Sequence, residues 1–224
     1  MKKINKLFDF LDDWRLLPSY QLERRADIYF AIHLEEILKA SRSKLVSEHG
    51  TMGIIPEFPI LKRIINNQES SNLSFKVDYA VFFENSAKFL LVELKTDMNS
   101  IDEDQYKDLL KTQQLPLRTI VDGVKTIYDG SNYKYRPKYK QLIKKLHSFG
   151  IVDIEGNFKY DLNQEKANSE LFYLMPGYDK KNIVPKVETI TFDDAKNGLS
   201  QEKDPLTIRF CKSLTRWAEP ENDL

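Results

Sequence analysis

The chain has 224 residues, 41% hydrophobic and 30% charged, and its 34 Lys and Arg balance its 34 Asp and Glu to a formal net charge of zero. That length can bury a full apolar core without disulfides or a structural metal, and the composition excludes a disordered or collagen-like chain. A neutral total advertises no nucleic-acid or membrane partner, so any such attraction has to come from local patches.

The N-terminal stretch MKKINKLFDFLDDW is interrupted by Asp12-Asp13 before an apolar core of signal-peptide length can form. No apolar run approaches the roughly 20 residues needed to span a bilayer. The single cysteine, Cys211, excludes an internal disulfide, and His33, His49 and His147 lack zinc-ligand spacing. The expectation is a cytoplasmic protein with no membrane partner.

From Pro18 to Ala40 the spacing predicts a helix with Ser19 as N-cap, because Ala26, Tyr29, Phe30, His33, Leu34, Ile37 and Leu38 recur at three and four residues. Glu23 and Asp27 stand at the N-terminal end of that stripe. His33 falls on the apolar face and reads as a hydrogen-bonded core residue, whereas His49 and His147 read as surface. Residues 53–60, GIIPEFPI, are extended and apolar, but Pro56 and Pro59 confine them to an edge or irregular strand. After a polar loop from Asn66 to Asn72, the segment from Phe75 to Asp97 reads as two strands around a turn at Glu84-Asn85-Ser86-Ala87.

Ser100-Ile101-Asp102-Glu103 has capping-box spacing and opens a helix to Gln114. Residues 115–150 are mostly helical, broken at Gly130-Ser131-Asn132 and at Pro137, and a surface connection with short extended pieces follows from Gly150 to Gln164. Glu170–Tyr178 and Lys186–Phe192 read as two more strands. Pro205–Ala218 closes the chain as an amphipathic helix, in which Cys211 is expected to be buried and inert. With no internal repeat or linker, one domain over residues 1–224 is expected: a core over 19–114 with strands in 170–192, a helical insertion over 115–150 and a C-terminal helix over 205–218.

A turn centred between Asn85 and Ser86 places Phe82 opposite Phe89, Ala80 opposite Leu91, Asp78 opposite Glu93 and Lys76 opposite Lys95, all on one face. The other face, Val77, Tyr79 and Val81 against Leu94, Val92 and Leu90, is apolar and expected to be buried. Opposed residues hold their Cβ atoms about 4.5 to 5.5 Å apart, where like charges destabilise. Two facing carboxylates inside an apolar hairpin therefore require a reason, and a hard divalent cation supplies one. The alternative is a salt-bridged strand end, with Asp78 and Glu93 paired to Lys95 and Lys76.

Asp78 followed on the next strand by Glu93-Leu94-Lys95 resembles the metal-dependent PD-(D/E)XK nuclease superfamily, which includes restriction endonucleases and Holliday-junction resolvases. The resemblance covers residues 19–114, with Val77 where the family's name would put proline. The tripeptide acid-any-Lys recurs at Asp179 and Asp194, and what distinguishes Glu93 is its strand, the opposed Asp78 and the preceding acidic helix end. The resemblance implies an α/β (α+β) fold with a restriction-endonuclease-like core, a mixed central β-sheet flanked by helices and a helical insertion. It implies Mg²⁺ or Mn²⁺ held by Asp78, Glu93 and the Leu94 carbonyl, with Lys95 as catalytic lysine. A first-helix glutamate is common in the family; Glu23 fits, with Asp27 and Glu35 as rivals, and Gln105 is a further candidate. The activity implied is hydrolysis of phosphodiester bonds of DNA, with RNA the second choice, and a core that cuts both strands would be expected to form a homodimer. The competing expectation is a catalytically silent nuclease-like fold that binds nucleic acid or assembles with proteins.

Gly123 to His147 carries seven Lys and Arg against one acid, with Tyr133, Tyr135 and Tyr139 interleaved. Lys134, Arg136, Lys138, Lys140 and Tyr135 form a candidate nucleic-acid surface, since cations contact phosphate and rings stack on bases. The other reading is a solvated helix face with its tyrosines in the core.

Overall fold

A computed structural model of the chain describes residues 1–41, 43–49, 52–66, 73–159, 169–177 and 187–219. The predicted polar loop beyond Asn66, most of the connection after Lys159, and Tyr178, Asp179 and Lys186 lie outside the described residues. The elements in chain order are α1 (Lys2–Trp14), α2 (Glu23–Ala40), α3 (Lys44–His49), β1 (Met52–Leu61), β2 (Ser74–Phe83), β3 (Phe89–Leu94), α4 (Glu103–Gln113), α5 (Leu117–Gly130), α6 (Arg136–Ser148), β4 (Ser169–Met175), β5 (Glu188–Thr191), α7 (Phe192–Gly198) and α8 (Pro205–Trp217). The protein is mixed α/β, and its strands form a mixed sheet in the order β1-β2-β3-β4-β5. β1 and β3 run antiparallel to β2, and β4 runs parallel to β5. No helix among the described residues is long and apolar enough to cross a membrane.

Several boundaries differ from the sequence expectation for local reasons. α2 starts at Glu23, where the Ala26 N–H reaches the Leu22 carbonyl, and Ser19 is not its cap but a left-handed residue with φ 64°. Ser100 does not cap α4; its hydroxyl donates to the Asp97 carbonyl and to Glu23. Pro137 is the second residue of α6 instead of breaking a helix, because its missing N–H falls among the first-turn amides that have no intrahelical acceptor. Phe192, expected to end a strand, opens α7. There Thr191 and Asp194 form a reciprocal capping box, with the Asp194 N–H donating to Thr191 Oγ1 at 3.1 Å and the Thr191 N–H donating to Asp194 Oδ2 at 2.9 Å.

The chain divides into two compact units, one of residues 1–47, 93–102 and 172–224, the other of residues 48–92 and 103–171. In the first, the Ala26, Phe30, His33, Leu34, Ile37 and Leu38 stripe of α2 is buried. Phe30 meets Phe210 of α8 edge-on at 5.1 Å and Phe192 at 5.4 Å. His33 is a core residue as expected, 3.3 Å from Thr207 Oγ1, and burial pushes its pKa down against the opposing pull of Glu36, Asp204 and Glu202. Asp12 of α1 accepts from Arg209, Arg216 and Trp217 of α8 at 2.8, 2.6 and 3.0 Å, and Arg209 is only 8% exposed. Cys211 is half-buried, not fully buried as expected, and burial raises its thiol pKa.

The second unit is built on the β1–β2–β3 meander. β1 pairs with β2 in one register from Met52↔Phe83 to Leu61↔Ser74, and within it Glu57 takes a left-handed φ of 51°. It is the irregular edge strand that its prolines demanded. The apolar face of α5, including Ile120, Val121 and Val124, is buried, and the helix approaches β1 where Gly123 lies against Leu61. The end of α6 is set by Gly53 of β1, whose absent side chain leaves room for the Phe149 ring: a Cβ there would stand 2.3 Å from it.

Candidate functional site

The β2–β3 hairpin adopts the register expected from its turn. Phe82 pairs with Phe89, Val81 with Leu90, Ala80 with Leu91 and Tyr79 with Val92, and Asn85 in the turn takes φ 52°. Asp78 is the next residue outward on β2 and is half-buried; Glu93 is the next on β3. Asp78 belongs to the second compact unit, and Glu93, Leu94 and Lys95 to the first.

Within the first unit, the end of β3 is a buried polar cluster in apolar surroundings. Glu93 is 2% exposed, Leu94 1% and Lys95 7%. Lys95 Nζ donates to Glu93 Oε1 at 2.8 Å, and the Lys95 N–H donates to the Leu174 carbonyl of β4 at 2.9 Å. The backbone bond holds the strand end in the sheet, and the side-chain bond holds the ammonium against the carboxylate. Two residues on one strand face lie close enough for this because strand side chains repeat every second residue. β3 is buried on both faces, so the charged end is not a solvated rim.

Glu23 lies beside this strand end. Its Oε1 accepts from the Thr96 N–H at 3.1 Å and from the Ser100 hydroxyl at 3.3 Å. The first turn of α2 is thereby tied to the residue that follows Lys95. Of the rival acids, Glu35 is paired with Lys39 at 2.5 Å, a bond that raises the lysine's pKa, and Asp27 bonds the neighbouring Ile28 N–H. Glu23 is thus bonded to the segment around Lys95. Sequence reasoning missed Thr96 and Ser100 as its partners. The serine was visible as a capping residue, but its hydroxyl is directed to Glu23. Gln105 lies half-buried in the first turn of α4.

Lys76, which the strand alternation set opposite Lys95, has a partner elsewhere on its own side of the sheet. It is exposed, and its Nζ bonds Glu57 of β1 at 2.6 Å, because β2 has a second neighbour that the hairpin alone does not reveal. Among the described residues no three His, Cys, Asp or Glu side chains gather as a metal-holding group.

The basic segment forms the exposed face of α6 and the turn before it. Arg136, Lys138, Lys140, Lys144 and Lys145 are exposed, and only Ile143 and Leu146 of the helix are buried. Tyr133 is 91% exposed and Tyr135 47%, which overturns the core alternative for both rings; Tyr139 is half-buried. Lys134 Nζ stands 5.5 Å from the Tyr135 ring centre and Arg136 Cζ 5.1 Å from that of Tyr128. Beside this helix a groove of about 470 Å³ is lined by Pro56, Glu57, Lys76, Lys138, Tyr139 and Lys145, among others.

Comparison with family models, with curated proteins and with solved structures gives no match for this chain. The class that the structure itself defines is a mixed α/β protein with a five-stranded sheet.

Proposed function

We propose that the protein is a metal-dependent phosphodiesterase acting on DNA, of the PD-(D/E)XK type. The observation that carries this reading is the buried Glu93–Lys95 pair at the end of β3, with the Glu23 carboxylate bonded to the adjoining Thr96 N–H. In this reading Glu93, the Leu94 carbonyl and Asp78, which the hairpin pairing of the sequence sets opposite Glu93, hold Mg²⁺ or Mn²⁺. Such an ion lowers the pKa of bound water and offsets charge developing on the phosphate. Lys95 positions the attacking water or steadies the phosphoryl oxygens, and Glu23 orients the segment that carries the lysine. The exposed cations of α6 contact the DNA backbone, and Tyr135 offers a stacking surface.

The test is cleavage of end-labelled single- and double-stranded DNA with Mg²⁺, Mn²⁺ or chelator, for wild type and Asp78→Asn. Cleavage that requires metal and disappears in Asp78→Asn at an unchanged melting temperature is the expected result. Metal-independent cleavage, or full activity in the variant, would sink the reading.

The direct Glu93–Lys95 bond also supports a second reading, a catalytically silent fold in which the pair only closes a strand end. That reading expects no metal binding in calorimetry with Mn²⁺ and no cleavage, while DNA or a protein partner still binds.

A further inference from the structure

We propose that the groove between α1 and α2 is a docking site for an acidic amphipathic helix of a partner protein. α1 has three distinct faces. Phe8 and Leu11 are buried, and Asp9 and Asp12 are turned onto Arg209 of α8. The third face carries Leu7, Phe10 and Trp14, each 40% exposed or more. Their helical spacing makes one apolar stripe, where a soluble surface normally scatters such residues singly.

The stripe forms one wall of a groove of about 490 Å³, closed on the other side by Tyr20 and Tyr29. Its aromatic surface is preorganised: Phe10 and Trp14 stack at 4.6 Å with their planes 8° apart, and Tyr20 meets Trp14 edge-on at 6.1 Å. The rim is cationic, from Lys3, Lys6 and Arg25. Lys6 Nζ stands 5.4 Å from the Phe10 ring centre and Arg25 Cζ 5.9 Å from that of Tyr20. Among the described residues these three cations form no ion pair, while Asp9 and Asp12 are engaged by α8. The complementary occupant is apolar along its middle and negative along its edges.

That pattern fits a helix with apolar anchors at i, i+3, i+4 and i+7 and flanking Asp or Glu. Nucleic acid fits less well, because Leu7 and Leu11 have no stacking face and Phe10 and Trp14 are stacked on each other. A bilayer fits less well, because the site is concave between two helices.

The test uses a fluorescein-labelled helical peptide about four turns long, with Leu and Phe anchors and Glu flanks, titrated with the full chain by anisotropy. Micromolar binding is expected, weakened about tenfold by Trp14→Ala and by Lys6→Glu, and lost when the peptide's Glu residues become Lys. Leu7→Ser serves as the apolar variant should Trp14→Ala fail to fold. Absence of binding, or binding indifferent to these changes, overturns the proposal. So does tighter association, through the same residues, with phosphatidylglycerol vesicles, with an oligodeoxynucleotide or with a second copy in sedimentation.

Discussion

The Glu93–Lys95 pair allows a quantitative prediction that separates a metal site from a plain salt bridge. Lys95→Met keeps the length of the side chain and removes its charge, leaving the Glu93 carboxylate 2% exposed without the ammonium 2.8 Å away. Removing one partner of a buried pair costs about 3–5 kcal/mol, because the remaining charge stays desolvated and loses its ion-pair attraction. For a chain of this size each kcal/mol lowers the melting temperature by about 2–4 °C, so a fall of roughly 6–20 °C is expected. Glu93→Gln/Lys95→Met should recover a coupling of about 2 kcal/mol, since the buried carboxylate charge is gone as well. The assay is differential scanning calorimetry in chelator and again with Mn²⁺. If Glu93 is a metal ligand, the cation replaces the missing ammonium and raises the melting temperature of Lys95→Met more than that of wild type. A melting temperature for Lys95→Met within about 2 °C of wild type refutes the buried-pair argument. A large fall with no differential rescue by Mn²⁺ refutes the metal-ligand role.

Asp12→Ala removes the acceptor shared by Arg209, Arg216 and Trp217 but leaves Arg209 its bond to Asp9, so a loss of about 2–4 kcal/mol is expected in urea unfolding. Gly198→Ala places a methyl group 2.6 Å from Ala40 Cβ where α7 crosses α2, and should cost about 1–3 kcal/mol by the same measurement. His33 is held below its ordinary pKa by burial, against Glu36, Asp204 and Glu202, so the unfolded chain takes up its proton first. Its contribution to stability is complete above about pH 6.5 and is lost as pH falls through the lowered folded value; His33→Gln should flatten the melting-temperature profile below pH 6.5. On the phosphodiesterase reading, Lys138→Gln/Lys140→Gln should reduce the salt dependence of duplex-DNA binding by about 1.8 in log–log slope, measured by anisotropy at several salt concentrations.

The sequence by itself determined features that rest on near neighbours along the chain. The turn at Asn85 set the β2–β3 register, Pro56 and Pro59 set β1 as an irregular edge, the α2 stripe set its buried face, and Pro205 marked the start of α8. These depend on strand alternation, helical period and backbone restrictions, which act over a few residues. Tertiary structure decided where polar side chains spend their hydrogen bonds. Lys76 turns to Glu57 because β1 lies beside β2, Ser100 turns to Glu23 instead of capping a helix, and Glu23 finds the Thr96 amide. The helix α1 was not read from its sequence at all: its acids, taken only as a break in an apolar run, satisfy Arg209, Arg216 and Trp217 of a helix nearly two hundred residues away. A charged group's partner is chosen by distance in space and by the cost of leaving it unpaired when buried, and neither is written in local spacing.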